Sequence, residues 1–463
     1  MKRGILIGSF IFAGISALAS GGNGFFYNDP VGYPADGIKR RNGLPNITRK
    51  LAEGRPVTVV YLGGSITYAD GWRVHMDRML RQKYPAAEIK MVNAGVQGTS
   101  SALGAARLER DVLQHRPDLV FVEFAVNGGG IGTGGSDRQY EYSRPAMESI
   151  VRRIIEADPQ TDVCLVYTCS TSLRAWYQKE EYPPVVAEHE AVADFYGIPS
   201  VIMAADMFMQ IKDGSLVWQE NVTLISGDDG FERNSRGQIV FTRDGTHPVN
   251  KNALLYAMKV MDAFEKMPLQ KVFPRKLPDD LLVPGNRWLA ATMADLPAAD
   301  LKGFVRIDRP LSGPGGNIPG GYDGKGISYA DTVTMFPSVY KGTAGSQITV
   351  RFDGSNIGFY GLTGKFSGKI GVSVDGNALE PVYLLAKQNT AFTKHSFFFL
   401  PDTLPAGPHT AVFTVEPMTV EEKCRYAGVQ ADSADPEWNA NEVYFGKILV
   451  CGKIQSAGAL PAE

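Results

Sequence analysis

Three short segments, far apart in a chain of 463 residues, hold between them the groups of a nucleophilic acyl-transfer site. Gly63-Gly64-Ser65-Ile66-Thr67 sets a serine on a glycine turn, Val126-Asn127-Gly128 offers a side-chain amide, and Asp244-Gly245-Thr246-His247-Pro248 places an aspartate three positions before a histidine. A serine hydroxyl becomes a useful nucleophile when a base takes its proton, and an imidazole does this best when a carboxylate accepts from its other ring nitrogen and fixes its tautomer. Asp244 and His247 can supply that pair within one loop. The oxyanion that follows attack needs donors from separate loops converging on one point. The Ser65 N–H, the Asn127 amide and the N–H of Gly98, in the segment Val92 to Ser100, are the candidates.

Taken singly, each segment has a plainer reading: a Gly-Gly-Ser turn, an Asp-Gly turn and a loop glycine are ordinary turn chemistry. Their joint presence carries the inference. Other reactive groups are less telling. His75 lies on an apolar helix stripe, where packing is the plainer role, and His189 falls in a helical stretch from Val185 to Phe195, at the cleft or on a helix surface. Trp176 and Tyr177 follow a strand ending near Thr168; exposed they would stack on a sugar ring, buried they would be core. Gly227-Asp228-Asp229-Gly230 lacks the ligand spacing of a calcium loop and reads as a turn. The glycine turn has no phosphate-loop lysine. Cys164, Cys169, Cys424 and Cys451 lack zinc-like spacing and read as structural, with Cys424 and Cys451 able to bridge. No metal and no organic cofactor is expected.

The elements that position these groups follow from periodicity. Val57 to Leu62, Ile89 to Val92, Leu119 to Phe124, Val163 to Thr168 and Ile198 to Met203 are short apolar, β-branched runs, the form of buried parallel strands. Between them apolar residues recur at helical spacing: Trp72, Met76 and Leu80; Met147, Ile150, Val151 and Ile154; Leu254, Ala257 and Met261. Strands alternating with amphipathic helices predict a doubly wound α/β parallel sheet over residues 21–265, with ligands bound beyond the strand carboxyl ends. Ser65, Gly98 and Asn127 each follow a predicted strand by a few residues, which puts them along that edge.

Residues 266–304 are rich in proline and charge and read as a linker with a short helical turn before Trp288. From 305 to 463 the texture is alternating runs between Gly, Pro and Asp turns, such as Ile348 to Phe352, Ile370 to Val374, His395 to Leu400, Thr410 to Val415 and Val443 to Val450. That is the pattern of an all-β sandwich. Because the catalytic set is complete before residue 265, the first domain is expected to hold all the chemistry.

Composition agrees with a folded, neutral protein: 44% hydrophobic and 21% charged residues, with 47 basic against 49 acidic groups. Nothing in that balance points to nucleic acid or an anionic membrane. Lys2 and Arg3, the apolar run Gly4 to Leu18 and the small residues to Ser20 form a secretory signal peptide, residues 1–20, too short for a bilayer span. The mature chain is expected to be exported, periplasmic or secreted from a bacterium, with no membrane anchor.

As a set, these segments resemble the SGNH, or GDSL-type, hydrolase family, whose blocks carry Ser, Gly, Asn and His in this order; the likeness covers about Thr58 to Ala263. It implies Ser65 as nucleophile toward an ester carbonyl, His247 as general base oriented by Asp244, and Ser65, Gly98 and Asn127 as the oxyanion hole. Two positions depart from the family pattern: Gly64 replaces the aspartate of the name-giving motif, as in a Gly-Gly-Ser-Ile-Thr branch, and Gly128 replaces the aspartate after the asparagine. The resemblance, the export signal and the attached sandwich imply a serine esterase removing acetyl or similar acyl groups from a glycan. Acyl transfer to a sugar hydroxyl by the same triad, or an inactive glycan-binding protein, remain the alternatives.

Overall fold

The computed structural model describes residues 32–128, 142–267, 274–308, 336–385, 390, 393–401, 403–430 and 435–455. The expected signal peptide, 1–20, lies outside the described residues. Among those described, no helix is long and apolar enough to cross a membrane.

The first domain runs β1 (Ile38–Lys39), α1 (Pro45–Ala52), β2 (Val57–Gly63), α2 (Ser65–Tyr68), α3 (Trp72–Lys83), β3 (Ile89–Gly95), α4 (Ser101–Ala106), α5 (Leu108–Asp111), β4 (Leu119–Glu123), α6 (Ser143–Ala157), β5 (Asp162–Tyr167), α7 (Thr171–Tyr177), α8 (Pro184–Tyr196), β6 (Ser200–Ile202) and α9 (Met207–Lys212). It ends with β7 (Leu216–Gln219), β8 (Ile225–Ser226), β9 (Glu232–Arg233), β10 (Ile239–Thr242) and α10 (Leu254–Lys266). All five predicted strands form, in a six-stranded sheet of order β1-β6-β5-β4-β2-β3 whose pairings are parallel except at the short edge strand β1. Strands buried on both faces need no alternation, and β2, β4 and β5 are apolar nearly throughout. α3 packs on α10, while α4, α6 and α8 pack in succession as a second row. After β2 the chain goes to β3 on one side and then returns to β4 on the other, so the winding reverses beside β2, where a doubly wound sheet opens its binding crevice.

A second small sheet, β7-β10-β9-β8, precedes the Asp244 loop; its short strands give little periodic signal and are absent from the sequence reading. Gly227 to Gly230 is a turn, closed by the Gly230 N–H on the Gly227 carbonyl at 3.1 Å.

The second domain contains β11 (Ala291–Asp295), β12 (Asp300–Lys302), β13 (Val305–Asp308), β14 (Ser338–Thr343), β15 (Gln347–Thr363), β16 (Lys369–Val374), β17 (Asn377–Tyr383), β18 (Lys394–Phe399), β19 (Gly407–Glu416), a helix at Val420–Ala427 and β20 (Glu442–Ile454). They form one ten-stranded antiparallel sheet. The 17-residue β15 pairs with β12 and β19 along its first half and with β18 and β20 along its second, its register with β20 shifting between Gly354 and Asn356. It therefore serves two layers, which close on a core of Phe359, Phe413, Phe445, Val350 and Val372. β11 and β12 fall inside the stretch read as linker. Both are short and adjoin proline-containing turns, so their composition hides the pairing with β20 and β15.

The linker reading also misses how the segment docks. Residue Glu148 on α6, fully buried, accepts from the N–H groups of Leu282 and Val283 and from Asn286 Nδ2, at 2.7, 3.0 and 2.9 Å. Trp288, 1% exposed, packs between Tyr142 and Phe399. Along β18, Phe397 and Phe399 join the core of the α/β domain while Phe398 joins the sandwich core. All four cysteines are free thiols: Cys451 faces the α/β core and Cys424 lies on the helix Val420–Ala427, so the bridge between them does not form.

Candidate active site

Ser65 is the first residue of α2, a single turn that begins straight after β2. His247 Nε2 lies 2.8 Å from Ser65 Oγ, and His247 Nδ1 lies 2.6 Å from Asp244 Oδ2. The predicted serine, histidine and aspartate thus meet in one hydrogen-bonded chain. Asp244 Oδ1 also accepts the backbone N–H groups of Thr246 and His247, both at 2.8 Å, which fixes the carboxylate to its own loop. Partial burial raises the Asp244 carboxyl, but these donors and the His247 ring outweigh it and hold the group below the usual carboxylate range. Side chains of Asp244 and His247 are 55% and 47% exposed, so the site opens to solvent.

The loop carrying this pair is tied down from three sides. Thr242 bridges to Pro248, and the Gly245 N–H donates to Thr242 Oγ1 at 3.0 Å. The Gly245 carbonyl accepts Trp218 Nε1 at 3.3 Å and the Thr171 N–H, at the start of α7, at 2.8 Å. Gly245 is at φ 87°, and a side chain there would collide with Thr171 and Gln219, so only glycine suits the position. His75 on α3 adds a fourth tie, Nε2 at 2.9 Å from the Asn250 carbonyl. The sequence placed His75 on a packed stripe; its ring instead steadies the segment behind His247.

Asn127 follows β4 and Gly98 follows β3, at the same sheet edge as Ser65. Asn127 Nδ2 lies against the Gly64 backbone, in the space a Cβ at residue 64 would fill. Among the described residues neither the Gly98 N–H nor the Asn127 amide has a hydrogen-bond partner. Gly98 and Gly128 sit at φ 61° and 65°, the left-handed region, which accounts for glycine where the family pattern has aspartate after the asparagine.

Of the remaining candidates, His189 is fully buried, 2.9 Å from Ser143 Oγ, and burial pulls its pKa down to about 3, so it is a neutral core residue. Tyr177 is buried at 2%, whereas Trp176, on α7 beside the Gly245 loop, is 41% exposed. Two buried ionisable side chains beneath the serine turn, Glu123 and Arg107, escaped the sequence reading. Glu123, the last residue of β4, accepts from Thr168 Oγ1 at 2.7 Å and Thr67 Oγ1 at 3.0 Å. Burial pushes its carboxyl up, against the two hydroxyls and the N–H groups of Gly64 and Ala125. Arg107 lies under β2 and β3 with no exposed surface. The available signal was an ionisable residue ending an otherwise apolar strand or capping an Ala- and Gly-rich helix.

Residues 61–221 match the GDSL-like lipase/acylhydrolase family, a span that contains Ser65, Gly98 and Asn127. No curated protein matches the sequence. Among solved structures, a two-domain esterase (CEX) active on acetylated mannans, co-crystallised with mannopentaose, superposes with a TM-score of 0.64 at 19% identity, covering 92% of this chain and 98% of that one. A second structure of such an esterase gives 0.62 at 18% identity, covering 91% and 98%. At these identities the likeness establishes a shared two-domain fold. The family match makes residues 61–221 a GDSL-like lipase/acylhydrolase domain, and the enzyme class is carboxylic ester hydrolase.

Proposed function

We propose that the protein is an exported serine esterase that removes acetyl groups from a glycan. The observation that carries this reading is the continuous chain Ser65 Oγ, His247 Nε2, His247 Nδ1, Asp244 Oδ2, with both links at or below 2.8 Å. Ser65 Oγ attacks the ester carbonyl as His247 takes its proton, and Asp244 stabilises the imidazolium. The oxyanion is held by the N–H groups of Ser65 and Gly98 and by the Asn127 amide. His247 then protonates the leaving sugar hydroxyl, and a water, activated by the same imidazole, releases acetate from the acyl-enzyme.

Support for the glycan comes from two sources. The esterase of similar fold acts on acetylated mannans. Trp176, 41% exposed, lies on the helix whose first residue bonds the Gly245 loop, and an indole there suits a sugar ring. The test is release of free acetate from acetylated oligosaccharides, read with glycan mass. The parent enzyme releases acetate and Ser65→Ala does not, while remaining folded. Ser65→Ala activity within severalfold of the parent, or acetyl groups appearing on an added acceptor in place of free acetate, would refute the proposal. Recovery of a secreted chain beginning after Ala19 or Ser20 checks export.

A further inference from the structure

The peptide joining Gly63 to Gly64 stands one residue ahead of the Ser65 N–H, and two buried ionisable side chains, Arg107 and Glu123, flank it. On one side the Gly63 carbonyl accepts the Val96 N–H at 2.9 Å and Arg107 Nη2 at 3.1 Å. The same guanidinium holds the Ala94 carbonyl and Asp111 Oδ2, both at 2.7 Å from Nη1, so it ties the ends of β2 and β3 together. On the other side the Gly64 N–H faces the carboxylate of Glu123, which lies opposite Gly63 in the β2–β4 register. The peptide thus has a guanidinium at its oxygen and a buried carboxyl group on its N–H side. Space is equally tight: a Cβ on Gly63 would stand 2.8 Å from the Glu123 carbonyl oxygen.

Both side chains are buried, and plain ladder bonds would suffice to end two strands. What the pair adds is resistance to rotation of one peptide plane. Turning that plane swings Gly64 and carries the Ser65 N–H and Oγ away from the point where Asn127 and Gly98 aim. Glu123 extends the control further, since its other partners are the hydroxyls of Thr67 on α2 and of Thr168 and the Ala125 N–H, two residues ahead of Asn127. The geometry points to Arg107 and Glu123 as positioning residues that fix the Gly63–Gly64 peptide and, through it, the oxyanion pocket. This rests on Ser65 being the nucleophile.

Glu123→Gln tests it with little change of volume. The glutamine amide offers N–H donors where the carboxylate offers an acceptor, and the N–H groups of Gly64 and Ala125 cannot turn round to meet it. On p-nitrophenyl acetate, kcat falls at least ~tenfold while KM stays within ~twofold, because the lost interaction acts on the transition state. Inactivation by a phosphonate ester, which forms a tetrahedral adduct on the serine, slows by a similar factor. Thr168→Val removes one hydroxyl from the carboxylate without touching the turn and lowers kcat severalfold, and Thr168→Ser restores it. If Glu123→Gln does not fold, the Thr168 pair decides. Folded Glu123→Gln with kcat within ~twofold of an active parent overturns the positioning role, as does a Thr168→Val no slower than Thr168→Ser. An inactive parent, or an active Ser65→Ala, overturns the esterase reading instead.

Discussion

Gly64 occupies the place of the aspartate in the family motif, and the structure supplies a physical reason that can be tested. A Cβ at this position would lie within 3.0 Å of Asn127 Nδ2, against the 3.4–4 Å of ordinary contact. The backbone itself is at φ −89°, ψ −152°, extended and open to any L-residue, so the conflict in Gly64→Ala is with the amide alone. That amide is the free end of a side chain, which can withdraw with little cost to the fold. It must retreat by roughly an ångström, and a displacement of that size costs about a hundredfold in turnover when the group is positioned for the transition state. Outright removal of one oxyanion donor costs about 10²–10³ in kcat. We therefore expect Gly64→Ala to lower kcat on p-nitrophenyl acetate by about a hundredfold, with KM and thermal stability nearly unchanged.

The control is a double-mutant cycle. Asn127→Ala alone is expected to lose about a hundredfold or more, and adding Gly64→Ala to it should lose little further, since the methyl then has nothing to displace. Turnover of Gly64→Ala within about threefold of the parent would refute the reasoning. Losses that multiply in the double variant would show that the methyl acts on Ser65 and not through Asn127.

Three further outcomes are expected. Trp176→Ala should raise KM for acetylated oligosaccharides while leaving p-nitrophenyl acetate kinetics unchanged; equal effects on both substrates would remove the indole from the sugar-binding surface. His409 donates to Asp375 Oδ2 at 2.6 Å and to the Pro405 carbonyl at 2.7 Å, which requires both ring protons, and the Asp375 bond raises the His409 pKa while lowering that of Asp375. His409 stabilisation is complete below its unfolded value of about 6.5 and lost as pH rises through the raised folded value; that of Asp375 is present above about 3.9 and lost as pH falls through the lowered one. Asp375→Asn, which keeps the left-handed backbone at φ 52°, should therefore depress Tm most between about pH 4 and 6.5, and a depression independent of pH would contradict this. A chain ending at Met267 should aggregate or melt without cooperativity, because it uncovers the face that packs on the second domain; a soluble truncation with parental kcat on p-nitrophenyl acetate would overturn that.

The sequence made the first domain legible because its strands are double-sided and buried, so apolar runs alone mark β2 to β6. It made the site legible because Ser65, Gly98 and Asn127 each follow such a run closely, leaving the chain no room to carry them from the sheet edge. The Asp244 loop was legible as chemistry but not as structure: it hangs from β7 to β10, strands of two to four residues whose pairing is set by tertiary contacts. Residues such as Arg107 and Glu123 are harder still, because a charge in a sequence reads as solvent-exposed until a partner is known; Glu123 is met by threonine hydroxyls 56 and 45 positions away and Arg107, besides Asp111, by strand-end carbonyls that have no signature. In the second domain the helix Val420–Ala427 carries a capping box from Thr419 to Glu422, a readable signal that the surrounding strand pattern obscured.

Alternation misled more subtly in the sandwich. In an ordinary sandwich one face of each strand is core and the other meets water, but here the second face of several strands is also buried, against the hydrolase domain. Phe397 and Phe399 point to one core and Phe398 to the other; Leu449 and Cys451 divide from Ile448 and Val450 in the same way. Each large apolar side chain fully buried is worth about 1.5–3 kcal/mol, so Trp288, Tyr360, Phe397, Phe399 and Leu449 together match the ~5–15 kcal/mol by which a whole domain is stable. The contact also falls on elements that serve the site. α4 begins three residues after Gly98 and has β11 and β20 packed against it. Arg153 on α6 joins the carbonyls of Ala105 on α4 and Ala291 on β11, at 2.8 and 3.0 Å. The frame beneath the proposed oxyanion donors therefore crosses the domain boundary, and although Ser65, Gly98, Asn127, Asp244 and His247 all lie before residue 265, the packing that supports their loops is built by both halves of the chain.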